Sequence, residues 1–380
     1  MKTKDYSNGE IKKAKWSPHK IVSLIFVILF TAIITSFPVM YLSGVSAGKN
    51  YEKKVLTELP KINELFTNYS GFSDQFEAHF NDYFPVKSTM LEMYSLSEYK
   101  LFKKSIVPSV TSIGKNDWLF FEGDNTRSAV NGTRMLSEKT LEKIYNGIME
   151  KYETLKKLGK KYVIYLAAEK QTIYPEHDSL YTADYTLIDQ LIEYLNQKEC
   201  PIPFIYSKDY LLAKKTASNQ LYFKYDTHWN ALGAQYGYES VMQVIKPMFP
   251  DKNIPVATEQ GYQITKGSRS GDLANTIFLS KYLVESTPNL VYEHTPSYTK
   301  PDKVTIVNSN VVSDLKVFIY GDSFAQAEYW GAPFSQSASE VRILHNKNDF
   351  QVLLDNLGES DVVIEECVQR VPSTLGRVYF

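Results

Sequence analysis

Residues 320–324 read YGDSF and place Ser323 directly after the apolar run LKVFIY (315–320). A serine hydroxyl is a weak nucleophile, so it needs an adjacent base and a group that orients the base. Without them, a serine in this position reads as a helix cap. The chain has six histidines. His228 stands out in YFKYDTHWNALGA (222–234), with Asp226 two residues before it and Trp229 after it. A carboxylate two residues away on an irregular turn can reach the histidine Nδ1, fix its tautomer and stabilise the imidazolium. Asn230 can cap a helix beginning at Ala231. Taken alone, Asp-Thr-His also reads as a turn whose side chains satisfy backbone groups. The rival bases are His345, with Asp349 four residues on, His177 beside Glu176, and His294 in a loop. His19 and His79 fall in the N-terminal part.

The elements that would position these residues alternate. Leu141, Ile144, Tyr145, Ile148, Tyr152 and Leu155 recur at helical spacing, with Gly159 as the stop. KYVIYLAA (161–168) reads as a buried strand, 183–198 as a helix and IPFIY (202–206) as a second strand. LKVFIY runs into GDSF, and VRIL (341–344), a helix over 349–358 and DVVIEE (361–366) follow. Such alternation predicts an α/β fold with a mostly parallel sheet covered on both faces. Ligands gather at the carboxyl ends of strands in such sheets. Ser323 and the segment leaving strand 161–168 both fall there. GKNDWLFFEGD (114–124) reads as a strand or hairpin, and 247–300 as an insertion or long loop system.

The N-terminus carries a separate signal. Residues 21–42 are uncharged and apolar, enough to span about 30 Å of hydrocarbon as a helix. Lys2, Lys4, Lys12, Lys13, Lys15 and Lys20 precede this stretch, against Asp5 and Glu10. Positive-inside bias predicts a cytoplasmic basic tail (1–20), a transmembrane anchor (21–42) and everything from about residue 45 outside the cell. A cleaved signal peptide, ending at the small residues Val45-Ser46-Ala47, is the competing reading. A helical connecting region (43–110) and a catalytic domain (111–380) complete the expected organisation.

Composition narrows the function classes. The chain has 380 residues, is 43% hydrophobic and 22% charged, and carries a formal net charge of −1. These values suit a globular protein and give no electrostatic case for nucleic acid. The 28 tyrosines could stack on sugar rings, although tyrosine is also common in cores. Cys200 and Cys367 fall near opposite ends of parallel strands and are not expected to form a disulfide. No clustered soft ligands suggest a metal, and no cofactor is expected.

YGDSF, YDTHWNALGA, NDWLFF, EKQTIYPE, SGDLA (270–274) and HFNDYFPVKS, taken in order, resemble the SGNH-hydrolase-like alginate O-acetyltransferase family of the AlgX/AlgJ type. The likeness runs over most of residues 75–370. It implies a permuted SGNH, flavodoxin-like sheet in which Asp and His precede Ser, with Ser323 as nucleophile, His228 as base and Asp226 as orienter. The family's segment often reads Asp-His-His-Trp, whereas Thr227 occupies the middle position here. The alginate-binding module of some members has no expected counterpart after the last strand, which leaves the polysaccharide open. The expected activity is extracytoplasmic O-acetylation of an exopolysaccharide or cell-wall glycan through an acetyl-serine. A multi-spanning membrane acyltransferase would be the acetyl donor. The alternatives are an SGNH carbohydrate esterase and a non-catalytic polysaccharide-assembly protein. The Ser323 N–H is one expected oxyanion donor. Lys170, Arg269, the Gly271-Asp272 turn and Trp229 are candidates for a second donor or for substrate contacts.

Overall fold

The computed structural model describes residues 17–51, 54–293 and 303–378. The chain forms two compact units, Met1–Met93 and Tyr94–Phe380. In the first unit, the helix Pro18–Leu42 has a mean hydropathy of 2.5 and no buried residue in its apolar window, so it is long and apolar enough to cross a bilayer. Ser17 caps it, and Pro38 lies inside it. The lysine-rich residues 1–16 lie outside the described residues. His79, on the helix Tyr69–Tyr83, is held by Tyr41 Oη (2.7 Å) and the Thr57 carbonyl (2.8 Å), which accounts for it structurally.

The second unit begins at Tyr94, earlier than the expected boundary at 110/111. Leu96 and Tyr99 pack with Leu119, Leu273, Ile277 and Leu279, which draws residues 94–110 into this unit. A short antiparallel hairpin, β1 (Thr111–Ile113) and β2 (Leu119–Phe121), comes first. The main sheet then takes β3 (Lys161–Ala167) and β4 (Phe204–Tyr206). After them come a separate ribbon, β5 (Tyr262–Arg269) and β6 (Glu285–Tyr292), and then the remaining main-sheet strands. These are β7 (Lys303–Val307), β8 (Lys316–Gly321), β9 (Glu340–His345) and β10 (Val362–Val368). The six-stranded order is β4-β3-β10-β8-β9-β7, parallel throughout except where β7 runs antiparallel to β9.

Strand residues alternate between two cores, as the two-residue period of a pleated sheet requires. Val163, Tyr165, Val317, Ile319 and Ile364 face the side covered by the helix Ala231–Ile245. Tyr162, Ile164, Phe318, Val363 and Cys367 face the side of the helices Glu138–Lys157 and Leu187–Gln197. Both faces are therefore apolar, which explains the near-continuous hydrophobic runs in the sequence. Cys200 and Cys367 are free thiols.

Two strand features go beyond the sequence reading. The 247–300 stretch is not all loop: β5 and β6 pair over eight residues, from Tyr262↔Tyr292 to Arg269↔Glu285. Most of β5 is solvent-exposed, so no alternation of apolar residues marks it. The edge strand β7 also escaped the pattern reading. Only Val304 and Ile306 of its five residues point inward.

Candidate active site

β8 delivers Ser323 to the carboxyl edge of the sheet. Beyond Gly321 the Asp322 carboxylate accepts the Phe324 N–H (2.9 Å) through Oδ1 and the Val368 N–H (2.8 Å) through Oδ2. Asp322, not Ser323, thus caps the short turn Ser323–Ala325 and ties it to β10. The capping role open to the serine is filled by its neighbour, leaving the Ser323 hydroxyl for His228.

A lasso-like loop carries the histidine. Tyr222 and Trp229 form an isolated bridge, and the Phe223 N–H reaches the His228 carbonyl at 3.2 Å, so residues 223–228 project as a closed turn. Asn230 then caps the helix Ala231–Ile245 through the Leu232 and Gly233 N–H groups, at 2.9 and 3.1 Å. Across this turn His228 Nε2 lies 2.8 Å from Ser323 Oγ, and His228 Nδ1 lies 2.7 Å from Asp226 Oδ1. With Nδ1–H directed at the carboxylate, Nε2 is left to accept the serine proton.

The Asp226 side chain is almost wholly buried and its carboxylate is saturated with donors. Oδ1 also accepts the His228 N–H at 3.1 Å, while Oδ2 accepts from Arg269 Nη2 and the Asp272 N–H, each at 3.0 Å. Burial alone would raise its pKa. The His228 hydrogen bonds and the charges of His228 and Arg269 outweigh burial and hold Asp226 well below the usual carboxylate range. Burial pushes the His228 imidazole down, but Asp226, then Asp272 and Asp322, more than offset this and leave its pKa raised. Burial and the nearby Asp226 charge raise Asp272. The arrangement can take a proton at Nε2 and hold it as an imidazolium facing a fixed anion.

The remaining sequence candidates fall into place unevenly. Lys170 is a correction. Its buried ammonium contacts the carbonyls of Phe223 (3.1 Å), Lys224 (3.4 Å) and Asp226 (2.6 Å), so it is spent fastening the base of the histidine turn. Burial, partly offset by Asp272 and Asp226, brings its pKa down to about 8. Trp229 is also a scaffold residue. It is fully buried, and its indole N–H donates to the Phe324 carbonyl at 3.1 Å, linking the histidine turn to the serine turn. Gly271 is needed for close approach, since a Cβ there would overlap the Tyr225 carbonyl. Asp272 accepts the Thr227 N–H at 2.7 Å, and its other oxygen stands 3.9 Å from His228 Nδ1. Arg269, at the end of β5, lies over the Phe223 ring while pairing with Asp226.

The rival histidines lie elsewhere. His345 Nδ1 accepts the Lys347 N–H at 3.1 Å, and Asp349 caps the helix Phe350–Asn356 instead of orienting it. His177 stacks on Trp118, with ring centroids 4.6 Å apart. His294 lies outside the described residues. Sequence reasoning missed Tyr329, whose ring stacks on His228 at 5.6 Å, and Glu366, whose Oε2 accepts the Asp322 N–H at 2.9 Å. No spacing rule marks either one; only proximity does. Among the described residues, Asp226, His228 and Asp272 are the one group whose donor atoms cluster as a cation site would require. Both Asp226 oxygens and Asp272 Oδ1 already accept N–H groups, and His228 Nδ1 is turned to Asp226, a hydrogen-bonded arrangement and not an open ligand set.

Comparison with known proteins agrees with this architecture. The chain is 24% identical over 261 residues to a probable alginate O-acetylase AlgJ of Azotobacter vinelandii, covering 67% of this chain and 64% of that protein. It is 25% identical over 181 residues to the AlgJ of Pseudomonas syringae pv. tomato, covering 47% of this chain and 44% of that protein. The chain thus spans less than two thirds of the length of these curated relatives. PatB1 of Bacillus cereus shares the fold, with a TM-score of 0.53 at 16% identity over 71% of this chain and 99% of that one. The family model described as the SGNH hydrolase-like domain of the acetyltransferase AlgX matches residues 111–346, which include Asp226, His228 and Ser323; the chain belongs to this family.

Proposed function

We propose that this protein is a membrane-anchored O-acetyltransferase that works through an acetyl-Ser323 intermediate. The observation that carries the reading is the continuous line of hydrogen bonds from Ser323 Oγ to His228 (2.8 Å) to Asp226 (2.7 Å). His228 takes the serine proton as Oγ attacks the carbonyl carbon of an acetyl donor. The Ser323 N–H faces the developing oxyanion. Collapse breaks the bond to the leaving group, which receives the proton from His228. A sugar hydroxyl then gives its proton to His228 and attacks the acetyl-serine, forming the acetylated sugar and restoring Ser323. The acceptor class is a polysaccharide. The names of the AlgJ relatives make alginate the first acceptor to test.

The apolar helix Pro18–Leu42 supports anchoring, with the catalytic unit outside the membrane. Acetyl thioesters are made inside the cell, so in this reading a multi-spanning membrane acyltransferase hands the acetyl group across. The test uses p-nitrophenyl acetate with and without an acceptor glycan. Phenol release together with a one-acetyl mass gain on the glycan is expected, and Ser323→Ala abolishes both. Turnover indifferent to glycan, with acetyl groups removed from an acetylated polymer, would identify an esterase instead.

A further inference from the structure

Successive residues of β10, Glu365 and Glu366, are both buried and point to opposite faces of the sheet. Glu365 has a clear charge partner: Lys151 Nζ lies 2.5 Å from its Oε1, and the Tyr162 hydroxyl bonds its other oxygen. Glu366 is built differently. It is fully buried on the side of the serine turn, and its Oε2 accepts the Asp322 N–H at 2.9 Å. Its Oε1 meets no hydrogen-bond partner among the described residues. Gly321 leaves the space for it, because a Cβ there would stand 2.7 Å from Glu366 Oε2.

We propose that Glu366 is a positioning residue for the nucleophile, its buried carboxyl serving as the acceptor that holds the backbone of Asp322 and so aims Ser323 at His228. This rests on Ser323 being the nucleophile. Three charged or titratable groups act on Glu366 from its own side of the sheet or its rim: Asp322 from the serine turn, Tyr165 from β3, and Arg370 just beyond β10; Cys367, the next residue of the strand, points to the opposite face. Burial and the Asp322 carboxylate favour the protonated form, which the smaller opposing effect of the Arg370 charge does not reverse. A charged carboxylate beside Asp322 would repel the anion whose two oxygens tie the turn to Phe324 and Val368. A neutral acid accepts the Asp322 N–H without that repulsion. The hydrogen bond the Glu366 side chain makes among the described residues is to the Asp322 N–H, not to Ser323 or His228. Its effect passes through one peptide N–H to the residue preceding Ser323.

The discriminating comparison is Glu366→Gln against Glu366→Ala, read as acyl-serine burst rate and steady-state kcat. Glutamine keeps a neutral carbonyl acceptor and is expected to retain kcat within about threefold. Alanine leaves a buried N–H unpaired and is expected to lower kcat about 10- to 100-fold with KM little changed. Difference infrared spectroscopy on the folded wild-type protein at neutral pH should show a protonated carboxyl band that is absent from Glu366→Gln. This reading holds even if Glu366→Ala fails to fold. A glutamine variant as slow as alanine, or no protonated band, overturns the proposal. Full activity in Ser323→Ala would instead overturn the underlying reading, because the infrared band does not depend on turnover.

Discussion

His228 Nε2 and Ser323 Oγ lie 2.8 Å apart although 95 residues separate them in the chain. Trp229 makes this possible, since its indole N–H holds the carbonyl of Phe324, the residue after the serine, at 3.1 Å. Residues adjacent to each partner are thereby fastened together, so the histidine turn and the serine turn do not drift independently. His228→Ala should lower the rate about 10²–10⁴-fold, the range for losing a general base. His345→Ala should keep most activity. Steady-state kinetics on both variants decides the assignment, and the reverse ranking would move the base to the end of β9.

Asp226→Asn should be nearly as harmful, lowering kcat about 10⁴-fold with substrate binding retained. Asparagine presents an amide to a site where His228 Nδ1, Arg269 and two backbone N–H groups all donate. The ring is then driven to the wrong tautomer or turned away. A variant retaining more than a tenth of the wild-type kcat would show that Arg269 and Asp272 orient the ring without the carboxylate.

Only neutral His228 can accept the serine proton. Its pKa is raised from the ordinary value of about 6.5 by Asp226 and Asp272, against burial. The kcat/KM profile should therefore fall as pH drops through a midpoint above that value, and level off at higher pH. Asp272→Asn keeps an oxygen for the Thr227 N–H but removes one anion from beside the ring. Its acid limb should move to lower pH. An unmoved midpoint would show that the Asp272 charge does not reach the imidazole.

Lys170→Met tests the base of the catalytic turn. The variant leaves the carbonyls of Phe223, Lys224 and Asp226 without their shared ammonium. The Lys224 carbonyl keeps the Leu119 N–H at 3.0 Å, while each buried carbonyl left unpaired costs about 1–3 kcal/mol, offset in part by relief of the buried charge. A lower Tm is expected, together with about a 10²-fold loss of kcat from a shifted histidine. Unchanged kcat with lower Tm would limit Lys170 to stability.

Anchoring can be checked on whole cells. A C-terminal epitope should be open to external protease, while the full-length protein stays with the membrane fraction. A soluble species beginning near Gly48 would show that the apolar segment is a cleaved leader.

The chain's local chemistry could be read directly from its residues. Apolar runs at 161–168, 315–320 and 361–366 announced β3, β8 and β10, because strands buried on both faces leave no polar alternation. Asp226 and His228 could be paired from spacing, because two residues on a tight turn are neighbours in any fold. Gly-Asp-Ser after a strand likewise placed Ser323 at the sheet's ligand-binding edge. Only the tertiary structure showed His228, and not His345, in contact with Ser323, since sequence distance says nothing about a contact across 95 residues. It also turned Lys170 from an oxyanion donor into a brace, because a lysine's target depends on which carbonyls surround it. The exposed ribbon β5–β6, which brings Arg269 to Asp226, left no hydrophobic signature. Adjacent glutamates in β10 look alike in sequence, yet the pleat sends Glu365 to a lysine and Glu366 to the backbone N–H of Asp322.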